Sequence, residues 1–92
     1  DTILEAQGLG RAHHRALYFI ARRPGLSVGE LIGLLGITKQ SLGRVLNDLS
    51  GRALVEQKIG TSDRRQRLLS LTPSGAALEA RLFAELERSM AR

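Results

Sequence analysis

With 92 residues the chain has room for one domain, and with only Tyr18, Phe19 and Phe83 as aromatics its core must come from Leu, Ile, Val and Ala. It has no cysteine, which excludes disulfides and thiolate metal sites, and no run of about 18 apolar residues, which excludes a membrane-spanning helix. Its net charge of +5 is concentrated: residues 39–67 hold seven Lys and Arg against three Asp and Glu, so a polyanion is the partner to look for and a merely solvated basic face the alternative.

Residues 1–8 hold Ile3, Leu4 and Ala6 ahead of Gly8 and Gly10, and read as the end of a helix begun upstream. The chain opens on Asp1 with no charged-then-apolar leader. That is the expectation for a piece of a longer, cytoplasmic protein rather than a secreted precursor. Apolar residues at Ala12, Ala16, Leu17, Phe19 and Ile20 predict a helix over 11–23, stopped by Pro24-Gly25. Ser27 with Glu30 three places on is a capping-box signature for a helix through Leu31, Ile32, Leu34 and Leu35. Gly36 suits the left-handed residue that ends it. Thr38 is placed to cap a third helix starting Lys39-Gln40-Ser41, with Leu42, Val45, Leu46 and Leu49 as its inward stripe. Two helices joined by so short a glycine-containing turn form a helix-turn-helix.

The periodicity then changes. Residues 54–59 and 67–71 read as two strands, separated by the polar loop Gly60-Thr61-Ser62-Asp63-Arg64-Arg65-Gln66. Thr72-Pro73 opens a last helix with Leu78, Leu82, Leu86 and Met90 at i, i+4 spacing. The fold class that follows is mainly α with a small β-hairpin wing (α+β), a winged helix-turn-helix. The single domain is expected to span residues 1–92, with residues 1–8 and 73–92 belonging to a dimerisation region.

A helix that reads double-stranded DNA needs one face in the core and another carrying donors and acceptors to base edges. The third helix leaves Thr38, Lys39, Gln40, Ser41 and Arg44 on the outside. Gln suits adenine and Arg suits guanine in the major groove. Gly43 costs about 1 kcal/mol of helix propensity relative to Ala, explained either by close approach to DNA or by tight helix packing. Arg64, Arg65 and Arg67 lie at or near the hairpin tip, where an arginine can enter a narrow minor groove. Asp63 beside them can fix a guanidinium.

From about Leu9 to Leu86 the chain resembles the MarR family of transcription regulators. The resemblance rests on the helix-turn-helix from Leu31 to Ser41, on Leu54-Val55-Glu56, on the wing Asp63-Arg64-Arg65 and on the exit Leu69-Ser70-Leu71-Thr72-Pro73-Ser74-Gly75. It implies a homodimer, usually a repressor, whose third helix enters the major groove. It further implies that the wing arginine matching Arg65 reaches the minor groove, that the aspartate matching Asp63 orients it, and that a small aromatic effector releases the DNA. The chain departs from the pattern at Asn47-Asp48, where the family has Asp followed by a basic residue. It departs again at Ala53, where the family has Gly, and at both ends, where the dimer helices are short.

Other chemistry finds little support. His13 and His14 are neighbours on a helix, point about 100° apart and have no third ligand nearby, so no metal and no cofactor is expected. Ser27, Ser41 and Ser50 lack any nucleophile elbow or phosphate loop, so no enzymatic role is expected. RNA binding would want an aromatic stacking platform. The competing reading is a winged helix used for protein contact, which would use the Leu78-Leu82-Leu86-Met90 stripe and leave the basic segment unexplained.

Overall fold

The structure, a computed structural model, describes residues 9–60 and 66–90, with side chains through residue 85. Helix α1 is Arg11–Arg22, strand β1 is Leu26–Ser27, α2 is Val28–Leu35 and α3 is Lys39–Gly51. Strands β2, Val55–Ile59, and β3, Arg67–Leu71, then lead into α4, Pro73–Met90. This is the expected winged helix-turn-helix, with one correction: the sheet has three antiparallel strands in the order β1-β3-β2, not two. Leu26 lies opposite Leu69 and Ser27 opposite Leu68. Sequence reading assigned Ser27 only to a helix cap, yet it serves both elements, because a cap residue is itself extended (φ −81°, ψ 158°).

The core is aliphatic. Leu17, Ile20, Leu31, Leu42, Leu49 and Leu69, from α1, α2, α3 and β3, are fully buried. Helix α1 packs on α2, α3, α4 and β3, and so forms the central strut. The turns are set by the residues that announced them. Glu30's N–H donates to the Ser27 hydroxyl (3.1 Å) while Ser27's N–H donates to the Glu30 carboxylate (3.0 Å). These bonds from Ser27 hold the Glu30 carboxyl below its ordinary range. The cap is therefore complete above that range and weakens as acid protonates it. Gly36 closes α2 in the left-handed region (φ 66°), and the Thr38 hydroxyl accepts the Ser41 N–H (3.0 Å) to open α3.

The far end of α3 holds a strained turn at Ala53, one of the positions where the chain departs from the family pattern. Leu54's N–H donates to Leu49's carbonyl (2.9 Å) and Ala53's N–H to Ser50's (3.0 Å), the paired bonds of a Schellman cap. That cap needs a left-handed residue, and Ala53 supplies it at φ 58°. Thr72 locks the turn from the other side. Its hydroxyl donates to the Ala53 carbonyl (2.6 Å) and accepts the Gly75 N–H (3.0 Å), so one side chain holds the strained turn and caps α4. An L-residue in this region costs about 1–2 kcal/mol, partly offset by its lower unfolded-state entropy. Ala53→Gly should therefore raise stability by about 0.5–1 kcal/mol in urea unfolding; a lower midpoint would mean the turn is not strained.

Candidate nucleic-acid interface

Helix α3 is two-faced. Leu42, Val45, Leu46 and Leu49 are buried, while Lys39, Gln40, Ser41, Gly43, Arg44 and Asn47 are exposed. Anchoring four apolar side chains in the core fixes how the polar face is presented. At its N-terminus the Thr38 hydroxyl accepts the Ser41 N–H and donates to the Ser41 hydroxyl oxygen (3.0 Å). The cap thereby occupies Thr38 on both counts and leaves Ser41's own O–H as the donor facing outward. Gln40 and Arg44 follow one turn apart on the exposed face. A Cβ built on Gly43 meets nothing within 4 Å, so packing inside the domain does not explain this glycine. Its bare backbone faces outward.

The wing joins this face. Ile59 pairs with Arg67 across the hairpin, and Gly60's N–H donates to Gln66's carbonyl (2.9 Å), carrying the pairing one step toward the tip. Asp63, Arg64 and Arg65 lie outside the described residues. Arg67 is exposed, and with Lys39, Gln66, Gly29 and Ile32 it lines an open hollow of about 460 Å³. The start of α2, the start of α3 and the base of the wing therefore meet around one basic depression. Sequence reading did not single out Gly29 or Gln66 for this surface. The available signal was Ser27's cap, since a helix N-terminus carries partial positive charge.

Three further findings concern α1. His13, one of the two histidines for which no metal role is expected, bridges to α3: its Nε2 lies 3.0 Å from Asp48 Oδ2, and its Nδ1 accepts the Gly10 N–H (3.1 Å). Arg22 reaches α4, where its guanidinium meets the buried Glu79 carboxylate (2.8 Å) and lies over the Tyr18 and Phe83 rings at 3.9 and 4.7 Å. Burial lowers the pKa of His14, outweighing the raising influence of Glu79, so this imidazole favours the neutral form. It contributes stability at neutral pH that is lost on acidification.

The expected dimer stripe needs a correction. Leu78 and Leu82 are 6% and 3% exposed and belong to the domain's own core. Helix α1 packs against α4 and its Leu17 and Ile20 share the same buried cluster, so Leu78 and Leu82 are not free for a partner. The side chains of Leu86 and Met90 lie outside the described residues.

Comparison with known proteins agrees with this geometry. A model of the MarR family matches residues 7–66. The chain is 55% identical over 82 residues to the HTH-type transcriptional regulator PetP of Rhodobacter capsulatus, covering 89% of this chain and 49% of PetP. It spans about half the length of the curated relatives it matches. The crystal structure of a MarR-family regulator from Silicibacter pomeroyi superposes with a TM-score of 0.82 at 30% identity, over 95% of this chain and 58% of that one. The transcriptional repressor CouR, bound to a 23-mer DNA duplex, superposes with a TM-score of 0.81 at 31% identity, over 87% of this chain and 56% of CouR. The family model alone covers well over half of the sequence. The chain belongs to the MarR family.

Proposed function

We propose that this chain is the DNA-binding part of a homodimeric transcription regulator, acting as a repressor. The observation that carries the reading is the meeting of Lys39, Gln66 and Arg67 around one hollow, which makes the exposed face of α3 and the base of the wing a single basic surface. A duplex laid on that surface would place α3 in the major groove. Gln40 and Arg44 would then reach base edges, with Lys39, Ser41 and Arg67 on phosphates. The loop carrying Asp63, Arg64 and Arg65 would turn toward the adjacent minor groove. CouR, captured on a DNA duplex with a closely similar fold, supports DNA as the partner. The dimer would form through the chain ends and the part of α4 beyond Leu82, with Leu86 and Met90 as its apolar contacts. A small aromatic effector would be received in the hollow of about 250 Å³ on α1 beside His14, Tyr18 and Phe19. Neutral His14 suits such a ligand.

The test is a mobility-shift titration of the full-length protein against the DNA upstream of its own gene. Roughly six to eight phosphate contacts per dimer should give a slope of log K on log salt near −5 to −7. Arg44→Ala or Gln40→Ala should cost about 1–3 kcal/mol at the cognate site and relax sequence preference there. A slope flatter than about −2, with protein capture intact, would favour the protein-contact reading instead.

A further inference from the structure

The recognition helix carries an acid where an acid is unwelcome. Asp48 follows Arg44 by one turn on the exposed side of α3, 57% of its side chain open to solvent. A free carboxylate there would repel phosphate, and at i, i+4 spacing it could engage the Arg44 guanidinium. The carboxylate is neither free nor on Arg44. Asp48 Oδ2 instead meets His13 Nε2 at 3.0 Å, across from α1. The imidazole is itself fixed: Gly10's N–H donates to Nδ1 (3.1 Å), so Nδ1 is the acceptor and the proton sits on Nε2, donated to the carboxylate. His13 is largely covered, at 17% side-chain exposure, so it does not itself reach an approaching duplex. Arg44 makes no ion pair or hydrogen bond through its side chain among the described residues.

The geometry points to His13 as a positioning residue that draws the Asp48 carboxylate toward α1, off Arg44 and off the DNA-facing side of the recognition helix. This inference rests on the DNA-binding reading and adds to it a residue that touches no DNA. His13 acts through Asp48, and its effect disappears when Asp48 has no charge. Helix α1 thereby adds to its apolar packing on the reader a hydrogen bond at one end. At the other it carries the stacked Arg22, which joins it to the buried Glu79 of α4.

The test is a double-mutant cycle in the full-length protein, using a duplex selected by that protein from a randomised pool. His13→Ala should weaken binding about two- to five-fold per dimer, the effect of one i, i+4 ion pair gained in each protomer. It should also blunt discrimination at the base pair that responds to Arg44→Ala. Asp48→Asn should bind at least as tightly as the parent, and adding His13→Ala to it should change nothing further. His13→Gln, which keeps a donor near the Nε2 position, should restore affinity and discrimination. An equal loss from His13→Ala in the parent and in the Asp48→Asn background would overturn the proposal, since the histidine would then be supporting the fold only. No loss in either background would overturn it as well.

A second readout needs no DNA. In nitrogen-proton correlation spectra the His13 proton should sit on Nε2, protected from exchange, and lose that protection in Asp48→Asn. In His13→Ala the Arg44 side-chain Nε–H should shift as Asp48 engages it. If no duplex is selected from the pool, the DNA-binding reading fails while these spectra still decide whether His13 holds Asp48. Unprotected exchange in the parent, or an unmoved Arg44 signal, would overturn the inference on its own.

Discussion

Gly75→Ala should be the most damaging single-methyl change in this domain. Gly75 is buried in the first turn of α4, and a Cβ built on it runs into the backbone carbonyl of Leu54. That carbonyl cannot swing aside freely, because it accepts the Thr72 N–H at 3.1 Å. The neighbouring Ala53 carbonyl is held in turn by the Thr72 hydroxyl at 2.6 Å. Relief would mean lifting the start of α4 off the strained turn that ends α3, which breaks the bonds Thr72 makes to both. Overpacking against backbone costs at the upper end of the usual range, about 3 kcal/mol. That is a large share of the roughly 5–15 kcal/mol that holds a domain together. Urea unfolding with Gly33→Ala as the comparison measures it, since a Cβ on Gly33 meets nothing within 4 Å. A Gly75→Ala midpoint equal to that of Gly33→Ala would show that the approach of α4 to Leu54 is loose.

The same region shows what a sequence can and cannot disclose. Caps and tight turns were legible because their physics is local. Ser27 and Glu30, Gly36, Thr38 and Pro73 each act within about one turn of chain, and each stands where its residue type says it should. The inward stripe of α3 was legible for the same reason, since one period of the helix fixes it. Strand β1 escaped because two residues are too few to show an alternation, and because its partner Leu69 lies far along the chain. The polar links between helices were not legible at all. His13 finds Asp48 across 35 positions and Arg22 finds Glu79 across 57, and nothing in local spacing announces either pair. At the interface, Gln40 and Arg44 stood out because an exposed residue on a capped helix is a local property. The hollow shared by Lys39 and Arg67 depends on how the wing folds back beside the start of α3, which only tertiary structure determines.

Periodicity alone left one matter open with large consequences: it names an apolar face but not the neighbour that covers it. Leu78 and Leu82 lie on the face of α4 that α1 packs against, and the difference is measurable. Leu82→Glu should unfold the protomer rather than release a folded monomer. Leu82 is 3% exposed, within a cluster that includes Leu17, Ile20 and Leu78. A carboxylate placed there loses its hydration, and the Arg22 guanidinium is already committed to Glu79. Removing a core leucine alone costs about 2–5 kcal/mol, and an unpaired buried charge adds to that. The sum approaches the whole stability of a small domain. Circular dichroism should show no cooperative thermal transition for this variant. On the proposed DNA-binding dimer, Leu86→Glu or Met90→Glu should instead leave the transition in place and move sedimentation from dimer toward monomer, with operator affinity falling alongside. A Leu82→Glu protein that melts cooperatively as a monomer would show that the seam opens at Leu82 after all, and that α1 does not seal this face of α4.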